Sequence, residues 1–227
     1  MLCGQSPSNR VTNRPAPKPP ASTSVFINCP FDEGFKGIFR AIVFTVISSG
    51  YHPRCALDST DSAEIRISKI AKLIGECDWG IHDLSRIEID PVVGVPRFNM
   101  SLELGLHLGA RLFGQGRHRR KRALILEAKP HRYDAALSDI SGQDIEIHGN
   151  DPSRAIRCVR NWLSEHRGRD QPPLIGAIAL ASDYRLFQSE CDALLAARRL
   201  DSLEELTHSD FLFAVRDWTA ARVGVLQ

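Results

Sequence analysis

The stretch SVFINCPFDEGFKGIFRAIVFTVISSG, residues 24–50, decides the reading of the fold. Its first part, SVFINC, is a short apolar, β-rich run that stops at Pro30, so it reads as a buried strand ending in a turn. Behind it Phe35, Ile38, Phe39, Ile42, Val43, Val46 and Ile47 recur with helical spacing, and Gly50 follows as a C-cap, so the second part is a helix. Asp32 and Glu33 fall where a helix dipole favours acids. The chain then repeats this strand, turn and helix. YHPRCALD (51–58) is a weaker strand, and SAEIRISKIAKLIGEC (62–77) is a helix with Ile65, Ile67, Ile70, Leu73 and Ile74 on its apolar side. WGIHDLS (79–85) is a third strand, FNMSLELGLHLGARLFG (98–114) a third helix, RALILEA (122–128) a fourth strand and DIEIHG (144–149) a short fifth. A helix over 151–166 follows, with Asp151 able to cap it and Pro152 at its first position.

Alternating strands and helices with short connections imply parallel strands joined by right-handed crossovers. The expected architecture is an α/β, flavodoxin-like, doubly wound parallel sheet of order 2-1-3-4-5. A sheet of this kind binds ligands at its topological switch point, outside the carboxyl ends of the first and third strands. The expected organisation is a flexible Pro-rich tail over 1–23, the α/β domain over 24–168 and a small C-terminal helical appendage over 174–227, after the break GRDQPP. Two helical segments, 182–200 and 203–223, make up that appendage, which packs on the sheet domain or on a second copy.

Composition narrows the function classes. A chain of 227 residues with 43% apolar and 25% charged residues is that of a globular protein. A formal charge of +2 is too mild to point to a nucleic-acid partner. The dense basic run from Arg117 to Arg122 is either a solvated connection or a phosphate-binding patch. Cys3, Cys29, Cys55, Cys77, Cys158 and Cys191 have no paired spacing, which points to reduced thiols in the cytoplasm, and no Cys or His pairs stand at zinc-ligand spacing, so no metal is expected. The opening residues contain no apolar signal region, and no stretch approaches the ~20 apolar residues of a membrane span.

Three stretches reach the predicted crevice. NCPFDEGF brings Asn28, the start of a helix and Asp32, which either caps that helix or borders an anion site; the glycines and Lys-Ser/Thr pair of a P-loop are missing. WGIHDLSR places Asp83 and Ser85 at a strand end, where Asp83 either forms the turn, orients a neighbour or holds a ribose hydroxyl. In FNMSLELGLHLGA, Glu103 stands one turn into an otherwise apolar helix, between Leu102 and Leu104. A carboxylate in such surroundings has its pKa raised by desolvation, which suits acid/base or nucleophilic work near neutrality. His107, four residues on, shares its face and is within reach of it. The alternative is a partly exposed helix residue.

Together, VFINCPFD, CDWGIHDLS and NMSLELGLHLGA resemble the superfamily of nucleoside 2-deoxyribosyltransferases and TIR-like domains, over about residues 24–166. In that superfamily a strand-end aspartate and a glutamate in an ELG-type helix line a pocket for an N-glycosidic substrate, and many bacterial TIR-like members are associated with antiviral defence. The resemblance implies that Glu103 is the catalytic glutamate and Asp83 the strand-end acid. It also implies that Asn28, Pro30 and Phe31 line the base or ribose pocket, with Asp58 and Arg66 at its edge. Asp32, Ser85, Asn99 and His107 complete the expected substrate contacts. The chain departs from typical TIR domains in carrying Met100 and Ser101 where those have a Trp-Cys pair. It departs from typical deoxyribosyltransferases in the longer stretch RIEIDPVVGVPRF. The expected activity is an N-glycosidase on NAD(P) or a related nucleotide, taken as substrate and with no cofactor. The alternative is a nucleotide-sensing module of the same fold that signals through its C-terminal helices. The expected partners are a small-molecule nucleotide, a second copy of the chain and a protein reached through the C-terminal helices.

Overall fold

The computed structural model describes residues 23–87, 94–95, 97–132, 137–140, 142–168, 170–197, 199 and 202–223. Most of the expected Pro-rich tail, with Cys3, lies outside the described residues, as do 88–93 and 96 of the stretch ahead of the third helix. The elements run β1 (Ser24–Asn28), α1 (Lys36–Ser48), β2 (His52–Cys55), α2 (Arg66–Glu76), β3 (Trp79–Asp83) and α3 (Asn99–Phe113). They continue with β4 (Arg122–Glu127), β5 (Ile145–Ile147), α4 (Pro152–His166), α5 (Ala177–Ala197) and α6 (His208–Val223). Five parallel strands form one sheet in the order β2-β1-β3-β4-β5, so the predicted α/β doubly wound topology is the observed one.

The two faces of the sheet follow from the alternation of side chains along each strand. Val25 and Ile27 of β1, Ile81 of β3 and Leu124 and Leu126 of β4 face α1 and α4 in the largest apolar cluster. Phe26 turns the other way onto Ile70, Leu73 and Ile74 of α2, and Ile125 packs with Met100 and Leu104 of α3. Helices α5 and α6 form a further layer over α1 and α4. Leu180, Tyr184, Phe187, Leu195, Phe211, Val215 and Trp218 belong to the same cluster as the sheet's own core. Phe44 of α1 is the hub, with ring contacts at 5.2 Å to Tyr184, 5.5 Å to Phe187 and 5.8 Å to Trp218. The C-terminal helices are therefore separate in sequence but continuous with the domain in packing.

Caps fall where the residues place them. Gly50 takes φ +81° after α1, and Asp151 accepts a hydrogen bond from the Ser153 amide (2.8 Å) at the head of α4. Helix starts are less regular than the apolar pattern implies. Residues 33–35 form a 3-10 turn before α1, and α2 begins only at Arg66, which leaves Ile65 and Ile67 exposed beside the sheet's carboxyl edge. Phe213 and Leu186 are likewise exposed on α6 and α5, outside the buried stripe. The basic run is a 3-10 turn, Gly116–Arg120, at the opposite edge of the sheet. There Arg117 binds Asp78 (2.8 Å) and the Glu76 carbonyl (2.7 Å), while the buried Lys121 ammonium caps the Ile74 and Cys77 carbonyls at the end of α2. These cations close a helix end, which takes them out of the phosphate-patch reading.

Phe187 is fully buried between the outer and inner helix layers. Phe187→Ala is expected to cost about 3–5 kcal/mol, as loss of a buried aromatic ring does. In urea denaturation it should lower the midpoint of one transition followed by both sheet and helix signals; a separate early transition confined to the C-terminal helices would contradict the shared core.

Candidate active site at the carboxyl edge

The site is built around a buried amide. Asn28, last residue of β1, donates from Nδ2 to the Met100 carbonyl on α3 (2.8 Å) and to Nδ1 of His82 on β3 (3.1 Å). One side chain thus joins two neighbouring strands to the helix that carries Glu103. Deeper in, α3 comes very close to β3. A Cβ on Gly80 would lie 2.6 Å from Cε1 and 2.8 Å from Nδ1 of His107, so only glycine admits the helix at this height. His107 donates from Nε2 to the Arg122 carbonyl (3.2 Å) and packs edge to face on His82, with ring centroids 4.8 Å apart. It does not pair with Glu103, as its position one turn away had implied; it seats the helix. Burial pulls the pKa of His107 down to about 4 and that of His82 well below the ordinary histidine value, so both rings are neutral near pH 7.

Glu103 emerges from the second turn of α3 at the switch point. It is buried, and among the described residues it makes no hydrogen bond and faces one cation, Arg66 at the head of α2, at 3.9 Å. Burial pushes its pKa up to about 7, against a smaller downward pull from Arg66. Of its apolar neighbours, Leu104 is buried and Leu102 is 55% exposed, so the carboxylate sits on the boundary between core and solvent. Burial raises the pKa of the Cys29 thiol well above the ordinary thiol value, and Asp83, Cys55, Glu103 and Asp32 push it further up. Asn28 and Asp83 end β1 and β3, and Cys29 follows directly on β1.

Asp83 is wholly buried with both oxygens engaged. Oδ1 accepts from the Ser85 amide (2.9 Å) and Oδ2 lies 3.0 Å from Nε2 of His148. The Asn150 amide donates to Nδ1 of His148 (3.1 Å), so Nε2 carries the ring proton and gives it to Asp83, with the Ser85 hydroxyl also at 3.0 Å. Serine, histidine and aspartate meet here, yet serine and aspartate share one ring nitrogen, whereas a nucleophilic triad uses opposite nitrogens. The cluster positions the end of β3. Beside it, buried Glu127 is held by Arg132, whose guanidinium also reaches the Ser85 carbonyl (2.6 Å).

The first loop divides the remaining expected residues between two places. Pro30 is buried, and Asp32, instead of capping a helix, accepts from Arg86 (3.3 Å) and Arg97 (3.2 Å). Phe31 leans away, edge to face on Phe39 at 5.3 Å, into a cleft of about 120 Å³ lined also by Leu57, Leu206, His208 and Phe211. Asp58 borders that side too, bound by Arg54 (2.6 Å) and 3.5 Å from His208. Asn99 is exposed at the first position of α3. The structure thus brings Asn28, Asp83, Ser85, Glu103 and Arg66 to the switch point, and sets Phe31 and Asp58 beside α6. His148, Glu127, Arg97 and His208 were missed. The signal for His148 was its place directly after an edge strand; His208 lies far along the chain and had none.

No helix among the described residues is long and apolar enough to cross a membrane. Comparison with protein-family models, curated proteins and solved structures finds no match to this chain.

Two predictions follow from the seat of Glu103. An acid whose pKa is higher folded than unfolded weakens folding above its folded pKa and has no effect below its unfolded pKa. Glu103→Gln should therefore raise the melting temperature at pH 8, with a gain that shrinks as the pH falls from about 7 toward the ordinary carboxylate range. A constant difference across that window would mean that Glu103 is not desolvated. Gly80→Ala, which overpacks the contact with His107, should cost about 1–3 kcal/mol in denaturant titrations.

Proposed function

We propose that the chain is an N-glycosidase acting on NAD(P) or a related nucleotide, with Glu103 as the catalytic residue. One observation carries this reading: a carboxylate without a hydrogen-bond partner among the described residues, with a pKa of about 7, stands at the switch point of a parallel sheet. The bond between an anomeric carbon and a base breaks through an oxocarbenium-like state, and an ionised carboxylate facing that carbon from a poorly solvated position stabilises the developing charge. The electrons of the broken bond leave with the base, and water or a second acceptor takes its place at the carbon. Glu103 serves as stabiliser or nucleophile when ionised, and Arg66 beside it keeps a fraction ionised at neutrality. Arg86 and Arg97, at the Asp32 end, supply positive charge suited to the phosphates of a dinucleotide. Asp83 is a positioning residue in this scheme, because its oxygens are already occupied.

A nucleotide-sensing module without turnover is the second reading. It is favoured by the way residues 206–211 of the C-terminal segment share a cleft with Phe31 of the first loop, which gives a bound ligand a route to the outer helices. A second copy of the chain is proposed as a partner under either reading.

Incubation of the purified chain at low and high concentration with NAD, NADP and a panel of nucleosides and nucleotides, read by chromatography, separates the two. The expected result is release of a free base that is lost in Glu103→Gln, with kcat/KM falling as the pH drops below about 7 because the working form is ionised. Thermal stabilisation by one nucleotide with no product at either concentration would favour the sensor, and turnover by a folded Glu103→Gln chain would refute the assignment.

A further inference from the structure

Behind Phe31, at the carboxyl end of the edge strand β2, three donor atoms from distant parts of the chain meet. Cys55 Sγ lies 3.4 Å from His208 Nε2, which lies 3.5 Å from Asp58 Oδ1, and the three donors are all within 4.8 Å of one another. A Cys-His-Asp group invites comparison with a nucleophilic triad, but the geometry refuses it. Thiol and carboxylate both address Nε2, so Asp58 cannot orient the ring through the opposite nitrogen, and Nδ1 of His208 is buried with no hydrogen-bond partner among the described residues. Burial also pushes the Cys55 thiol up to about 12, which keeps it protonated and poorly nucleophilic.

We propose that Cys55, Asp58 and His208 form a three-ligand site for a zinc-type divalent cation that fastens the start of α6 to the end of β2. Distances support this. With Zn–S of about 2.3 Å and Zn–N and Zn–O of about 2.0–2.1 Å, tetrahedral geometry requires a sulfur-to-nitrogen edge of about 3.5 Å and a nitrogen-to-oxygen edge of about 3.4 Å. The observed edges are 3.4 and 3.5 Å. A thiolate, an imidazole and a carboxylate together suit a borderline-soft ion better than calcium or magnesium, which prefer oxygen alone.

The ligands are also held in place. Arg54 binds the other carboxylate oxygen of Asp58 (2.6 Å), and the Cys55 amide donates to Oδ1 (3.1 Å), so the carboxylate presents one oxygen to the site. His208 opens α6 immediately after Thr207, whose hydroxyl pairs with Asp210 (2.6 Å) and accepts from its amide (3.2 Å), fixing that turn. On binding, the metal takes the Cys55 sulfur as thiolate and the thiol proton passes to solvent, so affinity rises with pH. Water or a small anion fills the fourth position. Sequence spacing hid the site: Cys55 and Asp58 are three residues apart, but the histidine comes from another layer of the fold.

The test is a cobalt(II) titration of the full chain after chelator treatment, followed by displacement with zinc. The expected result is one equivalent bound, a thiolate-to-cobalt charge-transfer band in the near ultraviolet, and visible absorption of tetrahedral intensity. Cys55→Ser, Asp58→Asn and His208→Asn should each weaken cobalt binding at least tenfold, with the band lost only in Cys55→Ser, and Cys158→Ser should leave both intact. Circular dichroism reports whether each variant is folded, and the wild-type titration decides the matter if one is not. No thiolate band at one equivalent in the wild-type chain, or a band that persists in folded Cys55→Ser, would overturn the proposal and leave a hydrogen-bonded cluster.

Discussion

The side-chain amide of Asn28 has both its hydrogens committed, one to the backbone of α3 and one to a ring on β3. A buried amide that lost either partner would suffer a desolvation penalty of about 1–3 kcal/mol, so the three elements hold or fail together. Helix α3 cannot tilt away from the strand end without stranding the Asn28 donor, and it cannot sink deeper because the His107 ring already rests against Gly80. Between these two limits the height of Glu103 over the sheet is set. The position of the carboxylate is thus set by contacts of the helix that carries it.

The carboxyl edge of a parallel sheet collects polar groups because the strands stop there and the chain must turn. Most of these groups are satisfied. Asp83 has Ser85 and His148, Glu127 has Arg132, and Asp32 has Arg86 and Arg97. Among the described residues Glu103 has only the Arg66 guanidinium, at 3.9 Å. A folded chain tolerates such an acid where the rest of the edge is well paired, and a weakly held group amid satisfied ones is the sort that functional sites retain.

Architecture was legible in the sequence because it rests on periodicity, and periodicity is local. The spacing of Phe35, Ile38, Ile42 and Val46 and the runs SVFINC and RALILEA set the alternation of strand and helix, and the order 2-1-3-4-5, the simplest for such a doubly wound sheet, is the one observed. Glu103 was legible for a related reason: a charged residue inside an apolar stripe violates the pattern that surrounds it. What could not be read were pairings that tertiary structure alone creates. His107 shares a helix face with Glu103, and helical spacing implied a pair, but the ring found a strand carbonyl instead. The engagement of Asp83 depends on His148, which follows the fifth strand and comes alongside only because β4 lies between them in the sheet. Ile65 and Ile67 kept the helical period but fell beyond the point where the sheet can cover them.

The segment between α5 and α6 is tied to the beginning of the domain. Lys36 donates to the Glu204 carbonyl (2.5 Å), Arg40 to the Leu203 carbonyl (2.5 Å), and Arg40 lies over the ring of Phe211. Protein synthesis runs from the amino end, so α1 leaves the ribosome long before these partners exist. A nascent chain that has completed its sheet still presents the outer side of α1, including Phe44, to its surroundings. That surface is closed only when α5 and α6 have been made, so until then the finished sheet carries an apolar face open to unwanted association.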